Sequence, residues 1–202
     1  GKVALKFAEA FKNIKNSRLI AVSSKNTNKL ENFKKKFQIN EKYCFNKYED
    51  LLENKDVDIV YIALPNSFHM EWIIKCIKNN KNILVEKPAT INYAEIKNIK
   101  SHLDNKNLFF SEGFMYLHHP QILKVISLIK ENIIGKPISM NSSYGINLLT
   151  KKFFFVFEKK KKIDKKNRLF NKELGGGAIL DLGCYPLSLS VIIAKLIGNF
   201  SY

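Results

Sequence analysis

The sequence predicts an α/β fold: a doubly wound, parallel-sheet domain followed by the start of an α+β domain. Three observations lead there. Short apolar runs alternate with amphipathic helical patterns between residues 19 and 111, at the spacing of βα units. One of those runs, residues 58–63, is apolar at nearly every position, as a strand buried on both faces of a parallel sheet must be. The rhythm stops after Glu112 without a quick return, which places a change of domain at residues 113–119 and divides the chain into 1–113 and 114–202.

Taken in order, Val3, Ala4, Phe7, Ala8 and Phe11 recur at steps of three and four, so a helix is predicted to about Asn13. Residues 19–22 have strand character and are closed by Ser23, Ser24, Lys25 and Asn26. A polar helix to about Phe37, a brief strand at 43–45 and a short helix at 48–52 lead into the strand at 58–63. Pro65 and Asn66 open a helix to about Asn79. The next strand, 82–85, delivers Glu86-Lys87-Pro88, and a helix over 92–103 precedes a strand at 108–111. Beyond the domain change, residues 118–131 carry an amphipathic helical pattern closed by Gly135. Residues 137–147 alternate as a strand should, and 148–172 read as irregular chain that includes a lysine-rich loop at 158–166.

Composition excludes several function classes. The formal net charge is +16, yet only Arg18 and Arg168 are arginines, and the lysines are spread along polar helix faces. Nucleic-acid readout favours a clustered patch and the arginine fork, so no specific nucleic-acid binding is expected. No run of about 18 apolar residues exists, and no membrane span is expected. The first residues lack the pattern of a secretory leader, and Cys44, Cys76 and Cys184 form no CxxC pair. Those features fit a reducing compartment, the cytoplasm. His69, His118 and His119 do not have metal-ligand spacing, so no metal is expected.

In an open parallel sheet, ligands bind at the carboxyl ends of strands. Those positions hold Ser24-Lys25, Leu64-Pro65-Asn66, Glu86-Lys87-Pro88 and Glu112-Gly113. Gly1 with Ala4 matches the tail of a G-x-G-x-x-A turn, a weak signal taken alone. Lys25 is either a solvated loop lysine or the cation that accepts the 2′-phosphate of NADP. Lys87 is either the ion-pair partner of Glu86 or a cation whose charge lowers the pKa of a nearby phenol. Three consecutive glycines, Gly175 to Gly177, mark backbone that must come close to something. If a helix starts near Gly177, Asp181 and Tyr185 stand four residues apart on one face. Cys184 beside them is read as helix packing rather than a nucleophile.

Residues 58–88, with a strand, P-N-x-x-H, a helix and a strand ending in E-K-P, resemble the cofactor-domain signature of the Gfo/Idh/MocA oxidoreductases. Glu112-Gly113-Phe114-Met115-Tyr116 with His119-Pro120, and Asn167-Arg168-Leu169 ahead of Gly175 to Pro186, are similar to the branch of dimeric dihydrodiol dehydrogenases and NADP-dependent D-xylose dehydrogenases. The resemblance implies a Rossmann-type domain that binds NADP, with NAD possible, and hydride transfer to or from a sugar, polyol or cyclic vicinal diol. It implies that Tyr185 donates or accepts the substrate proton. Lys87 would hold the nicotinamide ribose and favour ionisation of Tyr185, and Asp181 would orient a sugar hydroxyl. Cofactor contacts would come from Gly1, Ala4, Ser24, Lys25, Leu64, Pro65, Asn66, His69, Glu86 and Lys87. Substrate contacts would come from Tyr116, His119, Asp181 and Tyr185.

The resemblance also implies a homodimer for the whole protein, a substrate or dimerisation role for 114–202, and a piece cut from a longer chain, lacking the central first strand and the end of the second domain. Two departures stand out: Leu117 occupies a position where many relatives carry arginine, and the lysine-rich loop has no counterpart. The alternative from another class is a non-catalytic nucleotide-binding or scaffold protein of the same fold, which a screen for NADP⁺ reduction over aldoses and diols discriminates.

Overall fold

A computed structural model describes residues 1–153, 157–160, 162, 164 and 167–198. The chain divides into two compact units, one formed by Gly1–Leu64 with Phe68–Glu112, the other by Pro65–Ser67 with Gly113–Tyr202.

In the first unit, helix α1 (Lys2–Ala10) continues into a 3₁₀ turn at Phe11–Asn13, and strand β1 (Val22–Ser23) follows. Helix α2 (Thr27–Phe37) starts where the Asn26 side chain accepts the Lys29 N–H at 2.9 Å and stops at Gln38, which takes a left-handed conformation. Strand β2 (Cys44–Phe45) and helix α3 (Tyr48–Glu53) lead to β3 (Ile59–Ile62), α4 (His69–Lys78), β4 (Asn82–Val85), α5 (Tyr93–Leu103) and β5 (Phe110–Glu112). At the head of α5, Asn92 accepts the Glu95 N–H while the Glu95 carboxylate reaches back to the Ile91 N–H.

Strands β3, β4 and β5 pair in parallel in that order, with Val60 opposite Ile83 and Val85 opposite both Ile62 and Glu112. The core lies between this sheet and α4: Trp72, Ile73, Cys76 and Ile77, at helical spacing, pack on Ile62, Ile83 and Val85, with Ile99 of α5 beside them. Burial pushes the Cys76 thiol up to about 12, as expected of an inert packing cysteine.

Strands β1 and β2 form a separate parallel pair. One cavity of about 1220 Å³ is lined along one side by Leu19 to Ser24 and along the other by Asp58 to Leu64, so β1 and β3 both turn an edge toward it. The sequence-predicted strand at 19–22 therefore shrinks to Val22–Ser23: its only ladder partner is β2, and the opposite edge has none among the described residues. Tyr61 of β3 stacks on Phe7 of α1 at a centroid distance of 3.8 Å beside this cavity.

In the second unit, a 3₁₀ turn at Met115–His118 precedes α6 (Pro120–Lys130), which has Pro120 at its first position and is capped by His119 Nδ1 accepting the Gln121 N–H at 3.2 Å. Two sequence readings are corrected here. Residues 137–147 form no strand: Ile138, Met140, Tyr144 and Ile146 are exposed, and the segment finds no ladder partner among the described residues. Conversely, the stretch read as irregular contains an antiparallel pair, β6 (Thr150–Phe153) and β7 (Phe157–Lys160), with Thr150 opposite Lys160. Part of the lysine-rich loop lies outside the described residues.

Helix α7 (Cys184–Leu196) closes the unit. The 25 residues from Lys172 to Leu196 are long and apolar enough, by length and composition, to cross a membrane. They do not form one uniform rod, because Gly175 and Gly177 take positive φ and α7 itself has 13 residues, against about 20 for a span.

Lys81 is buried at the entrance to β4, its Nζ donating to the carbonyls of Asn54 and Val57, both at 2.7 Å. Lys81→Met should strand both acceptors and destabilise the first unit by about 2 kcal/mol. Urea denaturation checks this, and an unchanged midpoint would remove the lysine from the list of fold determinants.

Candidate functional site

Parallel pairing carries the ends of β3, β4 and β5 to one edge of their sheet, and the segments that leave them are Leu64, Glu86-Lys87-Pro88 and Gly113. The turn after β4 contains a cis bond between Lys87 and Pro88. It is held from two sides. His69, fully buried as the first residue of α4, contacts the Pro88 carbonyl through Nδ1 at 2.8 Å and the Leu64 carbonyl through Nε2 at 2.9 Å. Carbonyl oxygens only accept, and a neutral imidazole donates through one nitrogen; two full donations need the doubly protonated ring. On the other side, the Glu112 carboxylate accepts the Ala89 N–H at 2.8 Å. Lys87 and Glu86 are both half-buried on this turn, and Glu86 accepts a short hydrogen bond from the Tyr61 hydroxyl. Burial, then the Glu86 carboxylate, raises the Tyr61 phenol well above its ordinary range.

His69, which the sequence assigns to cofactor contact, thus has both ring nitrogens engaged by backbone; any contribution to a cofactor passes through the two loops it ties. At the far strand pair, Ser24 and Lys25 leave β1 next to the N-terminus of α2. The Ser24 hydroxyl accepts the Asn26 N–H at 3.2 Å, and the Lys25 ammonium lies 5.6 Å from the Tyr48 ring centroid. A hydroxyl, an ammonium and a helix N-terminus form a donor set suited to a phosphate. Gly1 and Ala4 line the cavity between the two strand pairs; Lys87 does not.

In the second unit the glycine loop is folded back on the segment before it. Gly176 donates to the Asn171 carbonyl at 2.9 Å and Gly177 to the Leu169 carbonyl at 3.0 Å. A Cβ at Gly176 would stand 2.3 Å from the Arg168 oxygen and 2.7 Å from the Asn171 oxygen, so only glycine fits. Asn66, buried, donates from Nδ2 to the Gly175 carbonyl at 2.8 Å. The helix that follows opens as a π-helix over Ile179–Gly183 before α7 begins. Asp181 lies within this π turn, its own N–H donating to the Gly177 carbonyl at 3.0 Å, four residues back.

The Tyr185 ring is enclosed by Phe114, Tyr116 and Tyr144, with centroids at 5.7, 5.7 and 5.2 Å, all edge-on. Tyr116 is itself fixed by a short hydrogen bond to the Ser188 hydroxyl, one turn along α7 from Tyr185. His119 is exposed at the α6 cap. Sequence reasoning placed Glu112 at a strand end and Phe114 in a motif without giving either a role, and it missed Tyr61 and Tyr144, which were legible only as aromatics. Among the described residues no three His, Cys, Asp or Glu side chains gather where they could hold a metal.

The model of the GFO_IDH_MocA oxidoreductase family, described as an NAD-binding Rossmann fold, matches residues 1–114. A trans-1,2-dihydrobenzene-1,2-diol dehydrogenase of Xenopus tropicalis is 28% identical over 195 residues, 96% of this chain and 54% of the relative. An aldose-aldose oxidoreductase from Caulobacter crescentus, solved with glycerol, superposes with a TM-score of 0.77 at 21% identity, covering 98% of this chain and 55% of that one. A 3-ketoreductase from Actinomadura kijaniata, solved with TDP-benzene and NADP, gives a TM-score of 0.57 at 29% identity, covering 64% and 40%. The chain spans about half the length of the diol dehydrogenase relative.

Two predictions come from these residues. Gly176→Ala should displace the loop and destabilise the second unit by about 2 kcal/mol or more, as overpacking against backbone does; thermal unfolding measures it. The second concerns Glu112, whose carboxyl is pushed above its ordinary value near 4.5 by burial, against the opposing pull of the Ala89 N–H and the Lys87 charge. Because the folded-state value exceeds the unfolded one, the stability this group contributes is complete below the unfolded value and is lost as pH rises through the folded one. Glu112→Gln should therefore gain stability relative to the parent as pH rises above the ordinary value near 4.5. A difference in urea midpoints that does not change with pH contradicts it.

Proposed function

The chain belongs to the Gfo/Idh/MocA oxidoreductase family, and from that premise we propose that it supplies the cofactor domain and part of the substrate domain of an NADP-dependent dehydrogenase or reductase acting on a sugar, polyol or cyclic vicinal diol. The observation that carries the reading is the Glu86-Lys87-Pro88-Ala89 turn, which stands at a strand end and is fastened by His69 on one side and Glu112 on the other. A lysine so placed works from a backbone held on both sides, so its ammonium has one anchored root. That arrangement suits a group that must meet a ribose hydroxyl and a substrate oxygen.

Tyr185 is the proposed proton donor or acceptor, with Lys87 assisting and Asp181 orienting a hydroxyl of the substrate. The aromatic enclosure of Tyr185 supports this: three edge-on rings limit the phenol to a narrow range of orientations, and proton transfer depends on such positioning. The nicotinamide, when bound, supplies the hydride chemistry. The chain's own residues hold the cofactor and move the proton. The Ser24 hydroxyl and Lys25 ammonium fit the 2′-phosphate that distinguishes NADP, so NADP is the proposed cofactor ahead of NAD. The diol dehydrogenase, aldose oxidoreductase and ketoreductase relatives support a substrate rich in hydroxyl or keto groups. A homodimeric whole protein in the cytoplasm, without specific nucleic-acid or membrane partners, completes the reading.

Tyr185→Phe keeps the ring in its aromatic enclosure and removes only the hydroxyl. Turnover of NADP⁺ with the best substrate from an aldose and diol panel should fall about 10²-fold or more, with NADPH affinity nearly unchanged. Full turnover in this variant would refute the proton-transfer role. Lys25→Ala should weaken NADPH binding and leave NADH binding unaffected, as parallel fluorescence titrations would show.

A further inference from the structure

Glu112 fastens the turn that carries Lys87, but its charge has no part in the assignment above. It is the last residue of β5, and the parallel register sets it opposite Val85, the last residue of β4. The next four residues of β4's exit are Glu86, Lys87, Pro88 and Ala89, so the turn carrying Lys87 leaves the sheet directly beside it. The carboxylate reaches forward to the far end of that turn and accepts the N–H of Ala89, a residue only 4% exposed. One residue earlier, the Pro88 carbonyl is engaged by His69. The two backbone groups that follow Lys87 are therefore both pinned, by side chains from different elements.

Holding one backbone N–H does not call for a charge. A glutamine would accept it equally well, without the cost of ionising a carboxyl in a site where burial opposes ionisation. The Ala89 N–H offsets part of that cost, and a cation offsets a further part; the cation that acts on Glu112 is Lys87.

Building on the reading of Lys87 under Proposed function, we propose that Glu112 is a positioning residue for the reaction: it anchors the turn through Ala89 and sets its carboxylate beside the root of Lys87, so that the ammonium is presented in one place. Glu112 acts through Lys87 and touches neither substrate nor cofactor. Its effect should fall on turnover rather than on cofactor affinity.

The test uses Glu112→Gln, Glu112→Ala and Lys87→Ala in the protein that reduces NADP⁺. Three readouts are taken: kcat and KM separately, NADPH affinity by fluorescence titration, and hydrogen exchange of the Ala89 amide by NMR. Glu112→Gln should keep the Ala89 amide slow to exchange and NADPH affinity unchanged, while kcat falls about tenfold or more. Glu112→Ala should lose both the slow exchange and the turnover. Because glutamine preserves shape and hydrogen bond, a merely structural role predicts wild-type kcat in Glu112→Gln, and that result overturns the proposal. An Ala89 amide equally slow in Glu112→Ala overturns the anchoring part. Lys87→Ala separates the two levels: wild-type turnover there refutes the assignment of Lys87 itself, whereas lost turnover there with an unaffected Glu112→Gln refutes only the role of Glu112.

Discussion

A buried histidine between two carbonyls is the joint on which the first unit's candidate site depends. His69 begins α4, so its position is set by the same helix whose Ile73, Cys76 and Ile77 fill the core. Its ring then ties the exit of β3 at Leu64 to the exit of β4 at Pro88. The packing of the core and the placement of the loops are thereby one problem. A shift of α4 along the sheet would break both contacts, and leaving the buried Pro88 carbonyl unpaired alone would cost about 1–3 kcal/mol. Rigid loops at the ends of strands are what a cofactor domain needs, since small displacements of catalytic groups are expensive in rate.

Much of the first unit was legible from residue patterns because its signals are local. The apolar run at 59–63, the Pro65-Asn66 start and the helical spacing of Trp72, Ile73, Cys76 and Ile77 each specify an element without reference to the rest of the chain. Strand length at residues 19–22 was not legible in the same way, since a ladder exists only where a neighbour supplies the other half. The same reason explains residues 137–147: alternation prepares one face for a sheet, but a strand is a relation between two segments. The antiparallel pair β6–β7 went unseen for the opposite reason. Its lysines at 151, 152, 159 and 160 look like solvated chain, while the backbone pairing that defines it leaves no trace in polarity.

For the candidate site, the motifs pointed to residue types at strand ends and to Tyr185, and the family membership rests on the first of these stretches. Geometry added what spacing cannot carry. Spacing of four suggested a helix carrying Asp181 and Tyr185, and the structure adds that Asp181 lies in a π-helical opening ahead of α7. Single π turns of this kind concentrate at functional positions, where an extra residue in a turn redirects a side chain. Tyr144 joins the enclosure of Tyr185 from forty-one residues upstream in sequence, a contact that only the tertiary structure brings about.

The cavity between β1 and β3 bears on how the first unit comes apart. Among the described residues no backbone ladder joins the β1–β2 pair to the β3–β4–β5 sheet, so what couples them is side-chain contact, such as the edge-on contact of Tyr48 with Trp72, the burial of Leu52 against the β3–β4 core and the Lys75–Glu49 ion pair at 2.9 Å. Hydrogen-bonded strands melt together, whereas groups linked through side chains can separate at lower free energy. The first unit therefore has a seam. On one side lie β1, α2 and β2; on the other, the β3–β4–β5 platform with α4 and α5 can keep its order, and with it the turn that carries Lys87, after the smaller part has opened.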